Sequence, residues 1–404
     1  MIALMPSTQQ WLDALIVPRR VRVDSSVGLA KKVAGMGVSK SFKGTPKKAV
    51  ALPSDTFPNR VHVRPAELLY YVAKATLPQI ENLCDLSSTS ALLRYIWAFE
   101  PKPSVHNLKL SKEALGIDFH QKMVMSDEIG CGMGCLFVER YLRACNPVPI
   151  SMALADSANA FGISKKYSTS PDFIFAEPRP DGRYVVLECK GSRSGRANSE
   201  RQLRRGLEQV PSIVFSSPPA PLAVVMATSL SKERTEVLVL DPEGRPTHVR
   251  DRTEFATTVS ALGRESLIRF AGAIGLARRK ARERESKQPD FGLEFEGPLS
   301  PPAEKPSPMG IPLVGFRQSA QIGDVRVELF RGISTAQFRA LETDDIERSR
   351  AAANQLFGAA SALRRGEEFP GPVVVARGSG EREQGIVSVV GPDGTAVLIE
   401  ASSE

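Results

Sequence analysis

The 404-residue sequence predicts an α/β protein with a helical, basic N-terminal region and a separate small α+β domain toward its C-terminal end. Three observations carry this. Helical and strand-like periodicities alternate from about Ser126 to beyond Arg252. Gln288 to Pro312 then holds seven prolines and little apolar periodicity, as a connector would. Beyond it, strand-like runs return around one helical pattern.

The first fifty residues hold nine Lys/Arg (Arg19, Arg20, Arg22, Lys31, Lys32, Lys40, Lys43, Lys47 and Lys48) against Asp13 and Asp24. This nearly equals the net charge of the whole chain, +8. Such a stretch reads equally well as a nucleic-acid-binding arm or as a solvated terminus. A helical pattern follows from about Val61 to Phe99 and breaks at Pro101 and Pro103. A second helix is expected over Ser126 to Ala144, closed by Pro147 and Pro149. Strand-like runs then occupy Asp172 to Ala176, Tyr184 to Lys190, Leu222 to Ala227 and Glu236 to Leu240, with helical pattern over Ser199 to Gln209 and again after Arg252. In the last domain, strands are expected at Val325 to Phe330, Val373 to Ala376, Ile386 to Val390 and Ala396 to Ile399, with a helix over Thr343 to Arg365. The expected divisions are 1–125, 126–287, a linker over 288–310, and 311–404.

Composition narrows the class. Apolar residues make up 42% and charged residues 24%, enough for a sizeable core, and the excess of basic residues fits a polyanionic partner. Five cysteines without regular spacing argue against a secreted disulfide scaffold. No signal pattern opens the chain and no apolar run is long enough for a bilayer, so a reduced, cytoplasmic protein without membrane attachment is expected.

Chemistry concentrates in Ser170 to Gly191. Two strand-like runs flank Arg179-Pro180-Asp181-Gly182, and Asp-Gly between apolar runs signals a hairpin. A two-residue loop at Asp181-Gly182 sets Asp172 opposite Gly191, beside Lys190. By the period of two, Val185, Leu187 and Cys189 form an apolar face, and Tyr184, Val186, Glu188 and Lys190 point the other way. Two carboxylates, Asp172 and Glu188, thus gather with an ammonium. Oxygen ligands of this kind suit a hard divalent cation. The lysine would orient a water or stabilise charge on a phosphate.

Pro171-Asp172 followed sixteen residues later by Glu188-Cys189-Lys190 resembles the PD-(D/E)XK, or restriction-endonuclease-like, nuclease superfamily. The resemblance spans about Asp127 to Asp241. It implies a mixed central sheet flanked by helices, in the order helix, three strands, helix, strand. It also implies an Mg2+-dependent nuclease, with Mn2+ as an alternative ion. Asp172 and Glu188 would be metal ligands, joined by the backbone carbonyl of Cys189, and Lys190 the catalytic lysine. Two further roles follow from the family pattern: Glu139 as an acid on the preceding helix, and Gln202 on the helix after the lysine. Arg193, Arg196, Arg201, Arg204 and Arg205 surround the start of that helix and would contact phosphates.

Nucleic acid is the expected partner, with DNA favoured, and a homo-oligomer or partner protein is compatible with the sequence. Restriction or anti-phage defence is the role that analogy implies. An RNase, or a catalytically silent nuclease-like module that binds nucleic acid or assembles a complex, remains open. Zinc on Cys131 and Cys135 is disfavoured because no second Cys/His pair follows at a suitable spacing. Gly130-Cys131-Gly132-Met133-Gly134 follows no strand and lacks the Lys-Ser/Thr of a phosphate loop.

Overall fold

The computed structural model describes residues 8–38, 48–53, 56–76, 91–102, 105–155, 163–165, 169–175, 184–210, 213–215, 222–243, 252–272, 276, 303–322, 325–363, 372–379 and 384–403. They fall into two compact units, 1–76 with 91–263 and 367–371, and 77–90 with 264–366 and 372–404.

The first unit is built on a mixed eight-stranded sheet. Its strands are β1 (Arg19–Asp24), β2 (Lys48–Val50), β3 (Arg60–Val63), β4 (Pro147–Pro149), β6 (Phe173–Phe175), β7 (Val185–Ser192), β9 (Leu222–Leu230) and β10 (Thr235–Glu243). They run in the order β3-β1-β10-β9-β7-β6-β4, with β2 also on β10. A short separate pair joins β5 (Ile163–Lys165) to β8 (Ile213–Phe215). Its helices are α1 (Thr8–Ile16), α2 (Val27–Ala34), α3 (Pro65–Ala75), α4 (Lys112–Gly116), α5 (Phe119–Phe137), α6 (Ile150–Ala155) and α7 (Arg196–Gln209), and α8 (Arg252–Phe270) begins in this unit and ends in the other.

Within this sheet lies the order helix, three strands, helix, strand that the sequence implied. After α5, the strands β4, β6 and β7 pair antiparallel, then α7 crosses over and β9 returns parallel to β7. A parallel neighbour requires such a crossover. Helices cover both faces of β7. Its residues from Val185 to Cys189 are all buried, so the expected one-sided core becomes two-sided. Buried sheets in α/β proteins take this form.

The glycine-rich run of α5 proves to be a packing surface. A Cβ on Gly130 would lie 2.8 Å from the nitrogen of Gly191. One on Gly132 would strike Val72 of α3, and one on Gly134 would strike the Cys189 Sγ. Removing three side chains lets α5 approach β7 and α3 closely. α7 approaches from the other face through Gly206, where a Cβ would meet Val225 and the Cγ of Glu188.

The N-terminal basic stretch is integrated where it is described. β1 pairs with β10 and β3 inside the sheet. Arg19 is buried and donates to the carbonyls of Lys102, at 2.8 Å, and Val105. Arg19, Arg22 and Lys32 therefore serve the fold, the last two through ion pairs to Glu236 and Glu200. Lys40, Lys43 and Lys47 lie outside the described residues.

The second unit holds a six-stranded antiparallel sheet ordered β11-β12-β13-β16-β15-β14. The strands are β11 (Ala303–Pro306), β12 (Pro312–Ile322), β13 (Val325–Ser334), β14 (Val373–Ser379), β15 (Gln384–Val390) and β16 (Thr395–Ser403). The helix expected over Thr343 to Arg365 is α10 (Ile346–Ala362), and a further helix, α9 (Thr335–Glu342), precedes it. They are separated at Asp344, whose φ of 56° is left-handed. Leu313, Phe330, Leu356, Val375 and Leu398 form its core. β11 falls inside the stretch read as linker and is paired with β12. Lys305 of β11 reaches Glu328 at 2.6 Å and Glu400 at 2.7 Å. Residues 288–302 of the expected linker lie outside the described residues.

The closeness of α5 to β7 can be tested at Gly191. A Cβ there would fall within the van der Waals shell of the Ser126 carbonyl oxygen. Gly191→Ala should destabilise the first unit by about 1–3 kcal/mol, the usual cost of overpacking. Thermal melting measures this; an unchanged melting temperature would show that the helix sits more loosely.

Candidate metal centre

Asp172 precedes β6, and Glu188, Cys189 and Lys190 lie on the adjoining β7. The register differs from the Asp-Gly hairpin reading. Phe173 pairs with Leu187 and Ile174 with Val186. Extending that register sets Asp172 level with Glu188 and not with Gly191, a shift of three residues. The reason is packing: Ile174 and Leu187 are fully buried, and a register that buries them outweighs the local turn preference. Residues 176–183, including Asp181-Gly182, lie outside the described residues. The shift draws the two carboxylates nearer than the sequence reading did.

Backbone bonds hold this junction in place. The Asp172 N–H donates to the Leu187 carbonyl at 3.2 Å, and the Ile150 N–H donates to the Asp172 carbonyl at 2.9 Å. The Cys189 N–H donates to Asp172 Oδ2 at 2.7 Å. Glu188 is fully buried, with Lys190 as its ion-pair partner. Neither Glu188 oxygen receives a hydrogen bond of normal geometry. A buried carboxylate without such bonds is costly.

The electrostatics follow from this burial. Desolvation, and then repulsion by Asp172, hold the Glu188 pKa well above the usual carboxylate range, against the pull of Lys190. Desolvation likewise raises Asp172, opposed by Lys190 and by the Cys189 N–H. Burial works against the Lys190 ammonium, yet the charges of Glu188 and Asp172 outweigh it and raise its pKa.

A further donor set shares Asp172. A Cys131 sulfur, a Cys189 sulfur and an Asp172 oxygen lie within 4.8 Å of one another. This cluster is capable of coordinating a divalent ion, and its sulfur atoms favour a soft one. Cys131 therefore meets Cys189 across the helix–sheet interface. The four described cysteines form no disulfide. Spacing along the sequence cannot reveal a pair formed between a helix and a strand.

The other sequence candidates separate. Glu139 lies in a π-helical turn, Val138–Leu142, that extends α5. It is buried, accepts the Tyr71 hydroxyl and faces Lys74 at 3.7 Å. The acid of α5 whose charge reaches Asp172, Lys190 and Cys131 is Asp127. Sequence reasoning missed it. The available signal was the four-residue step from Asp127 to Cys131 on one helix face. Gln202 donates from Nε2 to the Gly191 carbonyl at 3.2 Å, tying α7 to the end of β7, and its buried Oε1 has no hydrogen-bond partner.

The arginines form three groups. Arg193 lines a hollow of about 670 Å³ with Asp127, Gly191, Asn198 and Gln202. Its Nε and Nη1 are buried without a hydrogen-bond partner. Arg196 is held by Asp24, by Glu200 at 3.1 Å and by Glu236 at 2.5 Å, a network joining β1, β10 and α7. Arg201, Arg204 and Arg205 line a second hollow with Lys32, Glu200 and Glu208.

Comparison with protein-family models, with curated proteins and with solved structures finds no match. The architecture, a mixed sheet flanked by helices, is consistent with the general restriction-endonuclease-like fold class, and a cluster able to hold a metal ion lies where β6 and β7 meet α5. Among the described residues, no helix is long and apolar enough to cross a membrane.

Two measurements test the site without activity. For an acid, a folded-state pKa above the unfolded value means stability that is complete below the unfolded pKa and lost as pH rises through the folded one. Neutral pH lies above the unfolded value of both Glu188 and Asp172, so holding these raised carboxyls, whether by protonation or against desolvation and repulsion, costs the metal-free protein stability. Glu188→Gln in EDTA should hold or raise the melting temperature, by about 2–4 °C for each kcal/mol relieved. A fall of several degrees would show that Glu188 stabilises the fold through its charge. Separately, Cd2+ should give an ultraviolet thiolate charge-transfer band that Cys131→Ala weakens; a band of equal intensity in the variant would place the cadmium elsewhere.

Proposed function

We propose that the chain is a metal-dependent nuclease of the PD-(D/E)XK type, hydrolysing phosphodiester bonds of nucleic acid, with DNA favoured. The observation that carries this reading is the Asp172–Glu188 pair with Lys190 at the junction of β6 and β7, on a helix–three-strand–helix–strand core. A structural ion pair needs one carboxylate. A second one, buried beside it and raising its pKa, is a cost that a bound cation would remove.

The residues fit a hard cation. Glu188 has two buried oxygens without normal hydrogen bonds, and Asp172 Oδ2 is fixed by the Cys189 N–H. Asp172, Glu188 and the Cys189 carbonyl would hold Mg2+ or Mn2+. When bound, such an ion polarises a phosphoryl oxygen and lowers the pKa of a water. Lys190 keeps its proton throughout the neutral range, because its raised pKa favours the ammonium. As an ammonium it would orient a water or stabilise charge on a phosphate. Gln202 holds the end of β7, and Arg193 presents unused donors next to it.

Purified protein incubated with plasmid, linear and single-stranded DNA and with RNA, under Mg2+, Mn2+ or EDTA, tests the activity. Metal-dependent cleavage is expected. Asp172→Asn and Glu188→Gln should each reduce it by more than about 100-fold, the scale of losing one preorganised electrostatic element. Lys190→Ala should remove cleavage while Mn2+ binding persists. Cleavage at the wild-type rate by the Asp172 and Glu188 variants would refute the assignment. Binding without cleavage under every metal would favour a silent nuclease-like module.

A further inference from the structure

The face of α5 that carries Asp127 and Cys131 continues, four residues at a time, to Met123 and Phe119 at the start of the helix. Phe119 is 76% exposed and Met123 51%. Both line the same hollow as Asp127, Arg193, Asn198 and Gln202. Asp118 caps the helix by accepting from the N–H groups of His120 and Gln121, which fixes the turn that carries Phe119.

We propose that this hollow binds an unpaired nucleotide, its base stacked on Phe119 and its phosphate held by Arg193, so that the preferred substrate is single-stranded or frayed nucleic acid. The proposal deepens the nuclease reading and rests on it for the identity of the polyanion. Four features point to such a ligand. A solvent-facing aromatic ring is a stacking platform for any base, whereas bases within a duplex already stack on one another. Met123 extends the platform with a polarisable side chain. Arg193 offers two donor nitrogens that no protein group uses, and Lys122 adds a second positive charge to the lining. The hollow, about 670 Å³, is within the usual size range of small-molecule and cofactor pockets.

The distance along the helix is also suitable. Eight residues separate Phe119 from Asp127, about 12 Å at the α-helical rise. A base on Phe119 would thus belong to a nucleotide close to, but distinct from, the one whose phosphate meets Asp172 and Glu188. Asp127, in the same lining as Phe119, is also the acid of α5 whose charge reaches Asp172 and Lys190.

Fluorescence anisotropy in EDTA, with labelled single-stranded DNA, single-stranded RNA and blunt duplex of equal length, separates this from the cleavage question. Wild-type protein should bind at least one kind of single strand more tightly than duplex. Phe119→Ala should weaken that binding about five-fold or more, the lower end of the loss of one stacked base, while Phe119→Trp retains it. Arg193→Gln should weaken it and reduce its salt dependence. Because Phe119 is exposed, its variants should keep the wild-type melting temperature. Duplex bound more tightly than both single strands, or Phe119→Ala binding them as wild type does, would overturn the proposal. Single-strand binding without any cleavage would support the pocket and count against the nuclease reading. Duplex cleavage indifferent to Phe119 would do the reverse.

Discussion

A buried carboxylate, Glu188, set beside the partly buried Asp172 and Lys190 where β6 meets β7, is the constraint around which the first unit is arranged. Like charges side by side in a dry sheet repel, and each carboxylate is raised in pKa by its burial. Lys190 offsets part of this, and the Cys189 N–H another part. Holding such groups together requires surroundings that cannot relax away from them. Glycines on α5 and α7 bring both helices against β7 at close range, and fully buried residues on both sides of the strand fix its register. Rigid neighbours of this kind are what a preorganised site needs.

The ion pairs divide by function in the same way. Arg196, drawn between Asp24, Glu200 and Glu236, ties α7 to β1 and β10, and so helps fix the helix that covers Glu188. Glu139 is likewise occupied by Tyr71 and Lys74. Arg193 differs: its buried Nε and Nη1 lack hydrogen-bond partners, and it lines a hollow together with Asp127 and Gly191 at the end of β7. Sequence proximity placed all the arginines in one group, but a helix distributes its side chains around its circumference, and only some face the site.

Much of the core was legible in the sequence because its signals are local. Period-two runs marked β7, β9 and β10, and the Pro-Asp and Glu-x-Lys spacing located the carboxylates. What escaped depends on distant partners. β1, with Arg19, Arg20 and Arg22, read as part of a basic terminus, and β3 fell at the start of a stretch read as helical; the pairing of β1 with β10 and β3 makes them strands. The hairpin register was misjudged because the turn signal at Asp181-Gly182 is weaker than the burial of Ile174 and Leu187. Asp127 went unnoticed since nothing along the chain says that its turn of α5 lies over the end of β7. The Cys131–Cys189 approach, made between a helix and a strand 58 residues apart, has no spacing rule to announce it.

Asp172 belongs to two overlapping donor sets, an oxygen set with Glu188 and a mixed set with Cys131 and Cys189. Hard cations prefer the first and soft ones the second. The central claim is that Asp172 and Glu188 jointly hold one hard cation. Crystals of the full-length chain soaked in Mn2+, with anomalous diffraction data collected to locate the ion, test it most directly. One manganese peak bonded to oxygens of both Asp172 and Glu188, with no sulfur ligand, is the predicted result. A peak bonded to Cys131 and Cys189 without Glu188, or no peak at the junction of β6 and β7, would contradict it.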